Sequence, residues 1–222
     1  MEIIQAKNIT KAYKDGTNIS NVINGISLEI EEGEFVSIIG PSGSGKSTLL
    51  YLLSGLEEIT SGQVLYKGKD FKEYNDKEIS KLRREEIGFV YQFFNLISEM
   101  NVRDNVLLPS LAKKENIDEE RLKEAIRIVD LEDKEWNFPQ ELSGGQQQRV
   151  AIARVLYSNP SIIFADEPTG NLDSKNSQIV MDLFRKINRE RKTSILMVTH
   201  SMEQANMADR QIKVLDGKLW VD

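Results

Sequence analysis

Short apolar runs separated by glycines fill the first third of the chain, and this pattern predicts strands joined by turns. The runs are Ile3–Ile9, Ile26–Ile30 and Gln63–Tyr66, and apolar residues alternate or cluster in each of them. A fourth run, Glu34–Gly40, has the continuous apolar character of a buried strand. It leads directly into the segment GPSGSGKSTLLYLLSG, whose second half has the pattern of a helix.

Helical periodicity dominates the middle of the chain, and apolar strands return near its end. Apolar side chains between Glu119 and Asp130 follow i, i+3, i+4, i+7 spacing, which predicts an amphipathic helix. The runs SIIFADE and TSILMVTH have the character of buried strands. The segment between them carries a helical apolar set, which consists of Ile179, Val180, Leu183, Phe184 and Ile187. Strand, helix and strand in this order predict a parallel sheet covered by helices.

Composition limits the classes of protein that fit this pattern. The 222 residues suffice for a substantial core, and 40% hydrophobic with 29% charged residues is an ordinary globular composition. A net charge of -6 argues against general nucleic-acid binding. The sequence has no cysteine, which excludes disulfides and thiol catalysis. Because no apolar run approaches the ~20 residues that span a bilayer, we expect any membrane connection to run through a partner.

The segment Gly40–Ser47 matches the phosphate-loop pattern GxxxxGK[ST], with an apolar strand before it and a helix after it. The glycines of this pattern allow backbone N–H groups to surround a phosphate. Lys46 is predicted to reach the β- and γ-phosphate oxygens, and Ser47 to bind Mg²⁺. The alternative is a glycine–serine turn with an incidental lysine, and the flanking strand and helix argue against it.

Two acidic residues, Asp166 and Glu167, end the apolar run Ile162–Glu167. A phosphate-loop enzyme needs a carboxylate at such a strand end for Mg²⁺, and Asp166 fits this role through a coordinated water. Glu167 is predicted to polarise the water that attacks the γ-phosphate. The alternative for this pair is an acidic helix cap that faces solvent.

Three further residues are candidates for the same site on weaker signals. His200, the only histidine, ends the run TSILMVTH and is predicted to contact the γ-phosphate and to hold Glu167; a lone histidine is otherwise a surface residue. Gln92 also follows a strand-like run, although an isolated glutamine there is more often a loop amide. Tyr13 offers a face on which adenine could stack, although one aromatic near the N-terminus more often belongs to a core or an edge.

The stretch LSGGQQQRVAIAR, Leu142–Arg154, places Ser143 and two glycines just ahead of a helical run. A hydroxyl and free backbone N–H groups at a helix start suit an anion. The phosphate loop lies far earlier in the chain. Two stretches that bind phosphate imply either two ligands or two chains that share one ligand.

Taken in order, these motifs resemble those of the nucleotide-binding subunit of ATP-binding cassette (ABC) transporters. The resemblance covers essentially the whole chain and is carried by Gly40–Thr48, Gln92, Leu142–Gln146, Ile162–Glu167, Asn171–Asp173 and His200. LSGGQ is the discriminating motif, since other phosphate-loop ATPases lack it. The intervening sequence is similar to the subgroup that serves macrolide export, lipoprotein release and antimicrobial-peptide resistance, and QFFNLI favours the peptide-resistance or macrolide branch.

The resemblance implies an α/β fold, in which a P-loop NTPase (RecA-like) core with a parallel sheet carries an N-terminal antiparallel β subdomain and an inserted α-helical subdomain. We expect residues 1–222 to form a single ABC ATPase domain. The core and β subdomain would span 1–92 and 159–222, and the helical subdomain 93–158.

The resemblance also implies an ATPase that uses ATP and Mg²⁺. The residues expected to be catalytic are Glu167, His200, Gln92 and Lys46. The residues expected to bind the metal are Ser47, Gln92 and Asp166. The residues expected to bind ATP are Tyr13, Gly40, Pro41, Ser42, Gly43, Ser44, Gly45, Lys46, Ser47, Thr48, Ser143, Gly144, Gly145, Gln146 and Asp173.

Two partners follow from the same resemblance. In this family LSGGQ of one chain completes the ATP site of a second, so we expect an ATP-dependent, head-to-tail homodimer in which Asp173 connects the two sites. An integral-membrane permease subunit would hold the protein at the cytoplasmic face of the cell membrane, with Phe93, Phe94 and Leu96 near its docking groove. The expected cargo is a hydrophobic compound, an antimicrobial peptide or a lipoprotein. No nucleic acid is expected as a partner.

Other functions of a cassette ATPase stay open at this point. One alternative is a cell-division or cell-wall signalling subunit that acts mechanically through its membrane partner. A soluble cassette for DNA or ribosomes is disfavoured, because the chain has no coiled-coil heptads, no zinc-binding cysteines and no second cassette. A scaffold that binds ATP without turnover is disfavoured by the presence of Glu167.

Overall fold

Two β-sheets and seven α-helices make up the computed structural model, over the residues that it describes, 1–16, 18–113 and 116–220. The strands are β1 (Glu2–Asp15), β2 (Asn18–Glu31), β3 (Phe35–Ile39), β4 (Ser61–Tyr66), β5 (Lys69–Asp70), β6 (Ile87–Tyr91), β7 (Ile162–Asp166), β8 (Ser194–Val198), β9 (Arg210–Leu215) and β10 (Lys218–Trp220). The helices are α1 (Lys46–Leu53), α2 (Asp76–Glu85), α3 (Val102–Lys113), α4 (Glu119–Ile128), α5 (Gly144–Tyr157), α6 (Ser174–Arg191) and α7 (Met202–Ala205). Short 3-10 turns lie at Phe71–Glu73, Glu132–Lys134 and Pro139–Glu141.

The first sheet is antiparallel and has the strand order β2-β1-β4-β5. Strands β1 and β2 form a long hairpin whose pairing runs from Asp15 opposite Asn18 to Glu2 opposite Glu31. Both strands are therefore longer than the apolar runs predict, because backbone pairing continues past the alternating segments. The predicted antiparallel β layer near the N-terminus is confirmed.

The second sheet has the order β10-β9-β3-β8-β7-β6, and all its neighbouring strands are parallel except β9 and β10. The predicted parallel sheet, and with it the α/β class, is confirmed. Since β3, β6, β7 and β8 run in the same direction, their carboxyl ends meet at one edge of the sheet. The phosphate loop, Gln92, Glu167 and Thr199 follow those ends directly.

Alternation along the parallel strands divides the core into two clusters. On β8, Ile195 and Met197 face one cluster, and Leu196 and Val198 face the other. The first cluster contains buried residues of α3, α4, α5 and α6. The second contains the leucines of α1 and the apolar residues of the antiparallel sheet, so that α1 is enclosed between the two sheets.

The chain between β6 and β7 is largely helical and contains α3, α4 and α5. The predicted amphipathic helix is confirmed as α4, although it ends at Ile128 and not at Asp130, because Asp130 has a left-handed φ of 52°. The helix predicted between the two late strands is confirmed as α6. The subdomain boundaries at 92/93 and 158/159 stay predictions. No helix within the described part of the chain is long and apolar enough to cross a membrane.

Candidate active site

The phosphate loop joins β3 to α1 through backbone conformations that only glycine adopts without strain. At Gly40 a Cβ atom would lie 2.1 Å from the carbonyl oxygen of Val214, so no larger residue fits. Gly45 precedes α1 with φ of 97°, and no side chain caps this helix start. The first N–H groups of α1 therefore have no side-chain acceptor, which is the arrangement that binds anions at helix N-termini.

Lys46, the first residue of α1, lies across the loop that precedes it. Its Nζ donates to the carbonyl oxygen of Pro41 at 2.8 Å, and the residue is only 7% exposed. A cation held in this way beside open backbone N–H groups forms a compact positive site for a phosphate.

Asp166, at the end of β7, accepts hydrogen bonds on both carboxylate oxygens from α1. Ser47 Oγ donates to Oδ1 at 2.8 Å, and Tyr51 OH donates to Oδ2 at 2.7 Å. The contact of Ser47 with Asp166 brings together two residues that the sequence suggests as metal ligands. Tyr51 is not among the residues predicted from sequence, although its position one helical turn after Ser47 indicates that the two side chains share a helix face.

The oxygen atoms of Ser47 and Asp166 suit Mg²⁺, which prefers hard oxygen ligands. No group of three or more His, Cys, Asp or Glu side chains in the described residues could hold a metal ion by itself.

Glu167 and His200 lie beside each other, with Glu167 Oε2 3.2 Å from His200 Nδ1. Glu167 has a left-handed φ of 46°, and its N–H donates to the carbonyl oxygen of Val198 at 3.0 Å. Positive φ in a residue other than glycine is uncommon and concentrates at functional sites. The turn directs the carboxylate towards the end of β8, where His200 follows.

The half-buried amide of Gln204 holds the loop that carries His200. Gln204 Oε1 accepts hydrogen bonds from Thr199 Oγ1 at 2.9 Å and from Thr169 Oγ1 at 2.8 Å. Thr169 and Thr199 are both buried. Thr199, the residue before His200, is thus linked through Gln204 to Thr169, which lies just after Glu167. This link holds the side chains of Glu167 and His200 in position relative to each other.

One open cavity of ≈ 540 Å³ collects many of the predicted site residues. Its walls consist of Val22, Ser42, Gly43, Gly45, Lys46, Ser47, Thr48, Glu167 and His200. This volume lies within the range of small-molecule sites. Gly40, Pro41 and Ser44 support the loop without lining the cavity, and the hydroxyl of Ser44 is buried without a hydrogen-bond partner among the described residues.

Gln92 lies next to the site but is not part of the cavity wall. Its Nε2 donates to Asn171 Oδ1 at 3.1 Å, and Asn171 Nδ2 donates back to the Gln92 carbonyl oxygen at 3.1 Å. A Cβ atom at Gly170 would lie 2.8 Å from Gln92 Nε2. The side chain is therefore packed against the loop after β7.

Tyr13 is also outside the cavity wall, on the antiparallel sheet. Its hydroxyl donates to Glu57 Oε2 at 2.8 Å, and Lys11 Nζ lies 4.9 Å from the ring centre. Burial, together with the hydrogen bond to Glu57, raises the pKa of Tyr13. Tyr13 as a residue is 41% exposed, so part of it stays accessible.

The LSGGQ segment caps α5 at a separate place in the chain. Ser143 Oγ accepts from the Gln146 N–H at 3.3 Å, and Gln146 Oε1 accepts from the Ser143 N–H at 2.8 Å. This reciprocal pair is a capping box. Neither residue lines the cavity that contains the phosphate loop.

The start of α5 packs against the start of α6. A Cβ atom at Gly145 would lie 2.2 Å from Asn176 Oδ1, which explains the glycine. Asn176 in turn donates to Asp173 from its N–H at 2.8 Å and from Nδ2 at 2.7 Å. These bonds, the backbone one first, lower the pKa of Asp173. Asp173 and the LSGGQ segment therefore lie close together, and Gly144 also has Leu172 as a neighbour.

Gln148 is a second residue that the sequence does not point to. It connects the helix of the LSGGQ segment to the segments that carry Gln92 and Glu167. Its Nε2 donates to the carbonyl oxygens of Tyr91 at 3.1 Å and Pro168 at 2.6 Å, and the residue is fully buried. Tyr91 precedes Gln92, and Pro168 follows Glu167. The helix of the LSGGQ segment is thereby bonded to the backbone beside two of the predicted catalytic residues, Gln92 and Glu167.

Comparison with known proteins agrees with this geometry. A family model described as ABC transporter matches residues 23–170. The chain is 49% identical to the lipoprotein-releasing system ATP-binding protein LolD of Aquifex aeolicus, over 98% of this chain and 96% of the relative. It is 44% identical to the ABC transporter ATP-binding protein YknY of Bacillus subtilis, over 98% and 95% of the two chains.

Solved structures show the same fold. The dimeric structure of MJ0796, an ABC transporter cassette, superposes with a TM-score of 0.88 at 43% identity, over 98% of this chain and 97% of that one; the protein MJ0796 is from Methanocaldococcus jannaschii. A dimeric post-hydrolysis state of MJ0796 bound to ADP and Pi gives a TM-score of 0.87 at 42% identity, over the same shares.

These matches show that the chain belongs to the ABC transporter family. The resemblance inferred from the motifs is thereby confirmed, as is the P-loop NTPase fold. Within the family, the chain is an ATP-hydrolysing, ATP-binding subunit.

Proposed function

We propose that ATP is bound and hydrolysed in the cavity between the phosphate loop and the Glu167–His200 pair. The observation that carries this proposal is that Lys46, Ser47, Glu167 and His200 line one cavity. Lys46 and the N–H groups of the loop hold the phosphates, while Tyr13 and its surroundings on the antiparallel sheet receive the adenine. Glu167 accepts a proton from the attacking water, and His200 holds Glu167 and contacts the γ-phosphate.

Magnesium completes this site in our proposal. Ser47 would hold the ion directly and Asp166 would hold it through a water, while Gln92 would reach it from the loop after β6. When bound, the ion neutralises developing charge on the phosphate oxygens. The hydroxyl of Ser47 already donates to Asp166, so its lone pairs stay available for a cation.

A second copy of the chain completes the ATP site. Ser143, Gly144, Gly145 and Gln146 do not line the cavity of their own chain, yet they present a helix start suited to an anion. In a head-to-tail homodimer this segment binds the γ-phosphate of the partner's ATP, and Asp173 beside it connects the two sites. The solved MJ0796 cassettes are dimers, which supports this arrangement. Loss of the γ-phosphate then removes the contacts that hold the dimer.

The dimer drives an integral-membrane permease from the cytoplasmic face of the cell membrane. Phe93 is 70% exposed beside Gln92 and supplies part of the docking surface, with Phe94 and Leu96 next to it. The relative in Aquifex aeolicus and another in Wigglesworthia glossinidia brevipalpis, 42% identical, are named as lipoprotein-releasing subunits. Among the cargoes that the sequence suggests, their names favour a lipoprotein over a hydrophobic drug or an antimicrobial peptide.

The test uses a Glu167→Gln variant, which is expected to bind ATP without turning it over. Size-exclusion chromatography with light scattering measures its mass with Mg²⁺-ATP and with ADP, and tagged protein is captured from native membranes under both conditions. We expect dimers and a co-purifying permease with ATP, and monomers with ADP. A variant that binds ATP but never dimerises contradicts the shared site. Capture of ribosomal or DNA-bound partners in place of a membrane protein contradicts the transport role.

A further inference from the structure

The carboxylate of Asp166 is held at both oxygens by two hydroxyls of one helix. Ser47 and Tyr51 lie one turn apart on α1, so their side chains share a face. Ser47 donates to Oδ1 at 2.8 Å, and Tyr51 donates to Oδ2 at 2.7 Å. A carboxylate fixed at one oxygen can still turn about its terminal bond, whereas one fixed at both cannot.

A second tyrosine lies close to Asp166 but makes no such bond. Tyr91 is the register partner of Asp166 on the neighbouring strand β6. The pairing of the two strands places Tyr91 beside Asp166. Among the described residues, only Ser47 and Tyr51 donate side-chain hydrogen bonds to the Asp166 carboxylate.

The side chain of Tyr51 combines its hydroxyl contact to Asp166 with packing against the core. The ring is half-buried and packs against the core cluster that contains the leucines of α1. A phenylalanine at this position keeps that packing and loses only the hydroxyl.

We propose that Tyr51 is a positioning residue for the metal: it fixes the plane of the Asp166 carboxylate and so sets the affinity of the site for Mg²⁺-ATP. The inference rests on the proposed Mg²⁺ role of Ser47 and Asp166. Mg²⁺ demands near-ideal octahedral geometry and keeps several of its waters. A carboxylate that binds such a water must present its oxygen at a defined angle, and hydrogen-bonding partners behind a ligand provide that angle.

Loss of the Tyr51 hydroxyl leaves Oδ2 beside an apolar ring. A carboxylate oxygen without a donor is unfavourable in a partly dry site, so the group turns towards solvent and carries Oδ1 away from Ser47. Metal-free ATP does not use Asp166, and its binding to Lys46 and the loop is unaffected. The loss of affinity is therefore expected only for ATP that carries Mg²⁺.

The test compares Tyr51→Phe with Tyr91→Phe, each in the Glu167→Gln background that prevents turnover. Isothermal titration or a fluorescent ATP analogue gives the dissociation constant with Mg²⁺ and with EDTA. We expect Tyr51→Phe to raise the constant for Mg²⁺-ATP about tenfold, at the low end for partners of metal ligands, and to leave the EDTA value unchanged. Tyr91→Phe should change both values less than about twofold, since it removes no bond to Asp166.

Three results overturn the inference. If Tyr51→Phe binds Mg²⁺-ATP as tightly as Tyr91→Phe, the hydroxyl does not position the carboxylate. If both the Mg²⁺ and the EDTA constants rise by the same factor, Tyr51 has only a structural role. If the parent protein itself binds ATP no better with Mg²⁺ than with EDTA, the proposed metal site fails, and the inference fails with it. In the first two cases the proposed function stands.

Discussion

Glu167 and His200 lie with Oε2 and Nδ1 3.2 Å apart, at the ends of two adjacent parallel strands. The side chain of His200 is 68% exposed and that of Glu167 is 29% exposed. The more exposed imidazole thus contacts the less exposed carboxylate of Glu167. The backbone bond from Glu167 to Val198, the last residue of β8, fixes the acid from the other side. This relation supports the proposed roles, in which the glutamate acts on the attacking water and the histidine orients the glutamate.

Glu167→Gln should retain ATP binding and lose at least about 10²-fold in kcat, because an amide cannot accept the proton of the attacking water. His200→Ala should also lower kcat, while its KM for ATP changes little. Steady-state ATPase assays measure both parameters. A fully active Glu167→Gln enzyme would mean that another group receives the proton.

Lys46→Ala should weaken ATP binding about tenfold or more, since a charge-assisted contact to phosphate contributes about 1.5–3 kcal/mol. Equilibrium binding of ATP gives the change. Lys72→Ala is the matched control, because this lysine lies on a surface turn and its Nζ donates to the carbonyl oxygen of Gly62. Equal ATP affinity in the two variants would contradict the role of Lys46.

Ser143→Arg should spare ATP binding to the monomer and abolish ATP-dependent dimers and turnover. The change replaces a small helix cap by a long side chain at the surface that the second chain's ATP is proposed to meet. Light scattering and ATPase assays report the two effects. Ser80→Arg, an exposed site on α2, is the control for the added charge. Normal turnover in Ser143→Arg would remove the shared site.

Gln148→Met should lower kcat about tenfold while the KM for ATP stays within about twofold of the parent's value. The variant breaks the bonds to Tyr91 and Pro168 and leaves two carbonyl oxygens with lost partners, which also costs roughly 1–3 kcal/mol of stability. The kcat effect follows because these bonds position the backbone beside Gln92 and Glu167.

Gln147→Met provides a matched control for that experiment. Gln147 Nε2 also donates to two carbonyl oxygens, those of Pro139 and Leu142, but both lie within the helical segment. It should therefore lose stability and keep its kcat. If the two variants lose kcat equally, Gln148 does not connect the motifs.

The strands that carry the site could be predicted from sequence because their positions are marked by local chemistry. A parallel strand buried on both faces is a continuous apolar run, and each run ends directly in a polar motif. The same local signals existed for elements that the sequence reasoning did not predict. Asn75 and Glu78 form the capping box that begins α2. Asp216 and Gly217, with φ of 48° and 72°, form the tight turn between β9 and β10.

The contacts made by Tyr51 and Gln148 could not be predicted in this way. Tyr51 and Asp166 are 115 residues apart, and Gln148 and Tyr91 are 57 apart. Each bond depends on how a helix face meets a strand end, which is set by packing of the whole core. The spacing of Ser47 and Tyr51 indicates a shared helix face, but neither that spacing nor an isolated glutamine in a helix indicates which distant residue is the partner.

Away from the ATP site, Glu86 connects the two sheets. Its Oε2 accepts hydrogen bonds from Ser161 Oγ at 2.7 Å, Lys67 Nζ at 2.9 Å and Tyr66 OH at 2.9 Å. Tyr66 ends β4 of the antiparallel sheet, and Ser161 precedes β7 of the parallel sheet. These bonds, those from Ser161 and Lys67 first, lower the pKa of Glu86 to about 2.

Glu86→Gln should therefore destabilise the protein at neutral pH and make little difference in acid. A carboxyl group whose pKa is lower in the folded state stabilises the fold above its unfolded pKa of about 4.3. That contribution decreases as the pH falls towards the folded value of about 2. Since the side chain is 40% exposed, solvent screening reduces the expected difference at pH 7 to about 1 kcal/mol. Urea unfolding of both proteins between pH 7 and pH 2 measures it, and a difference that grows as the pH falls would contradict the assignment.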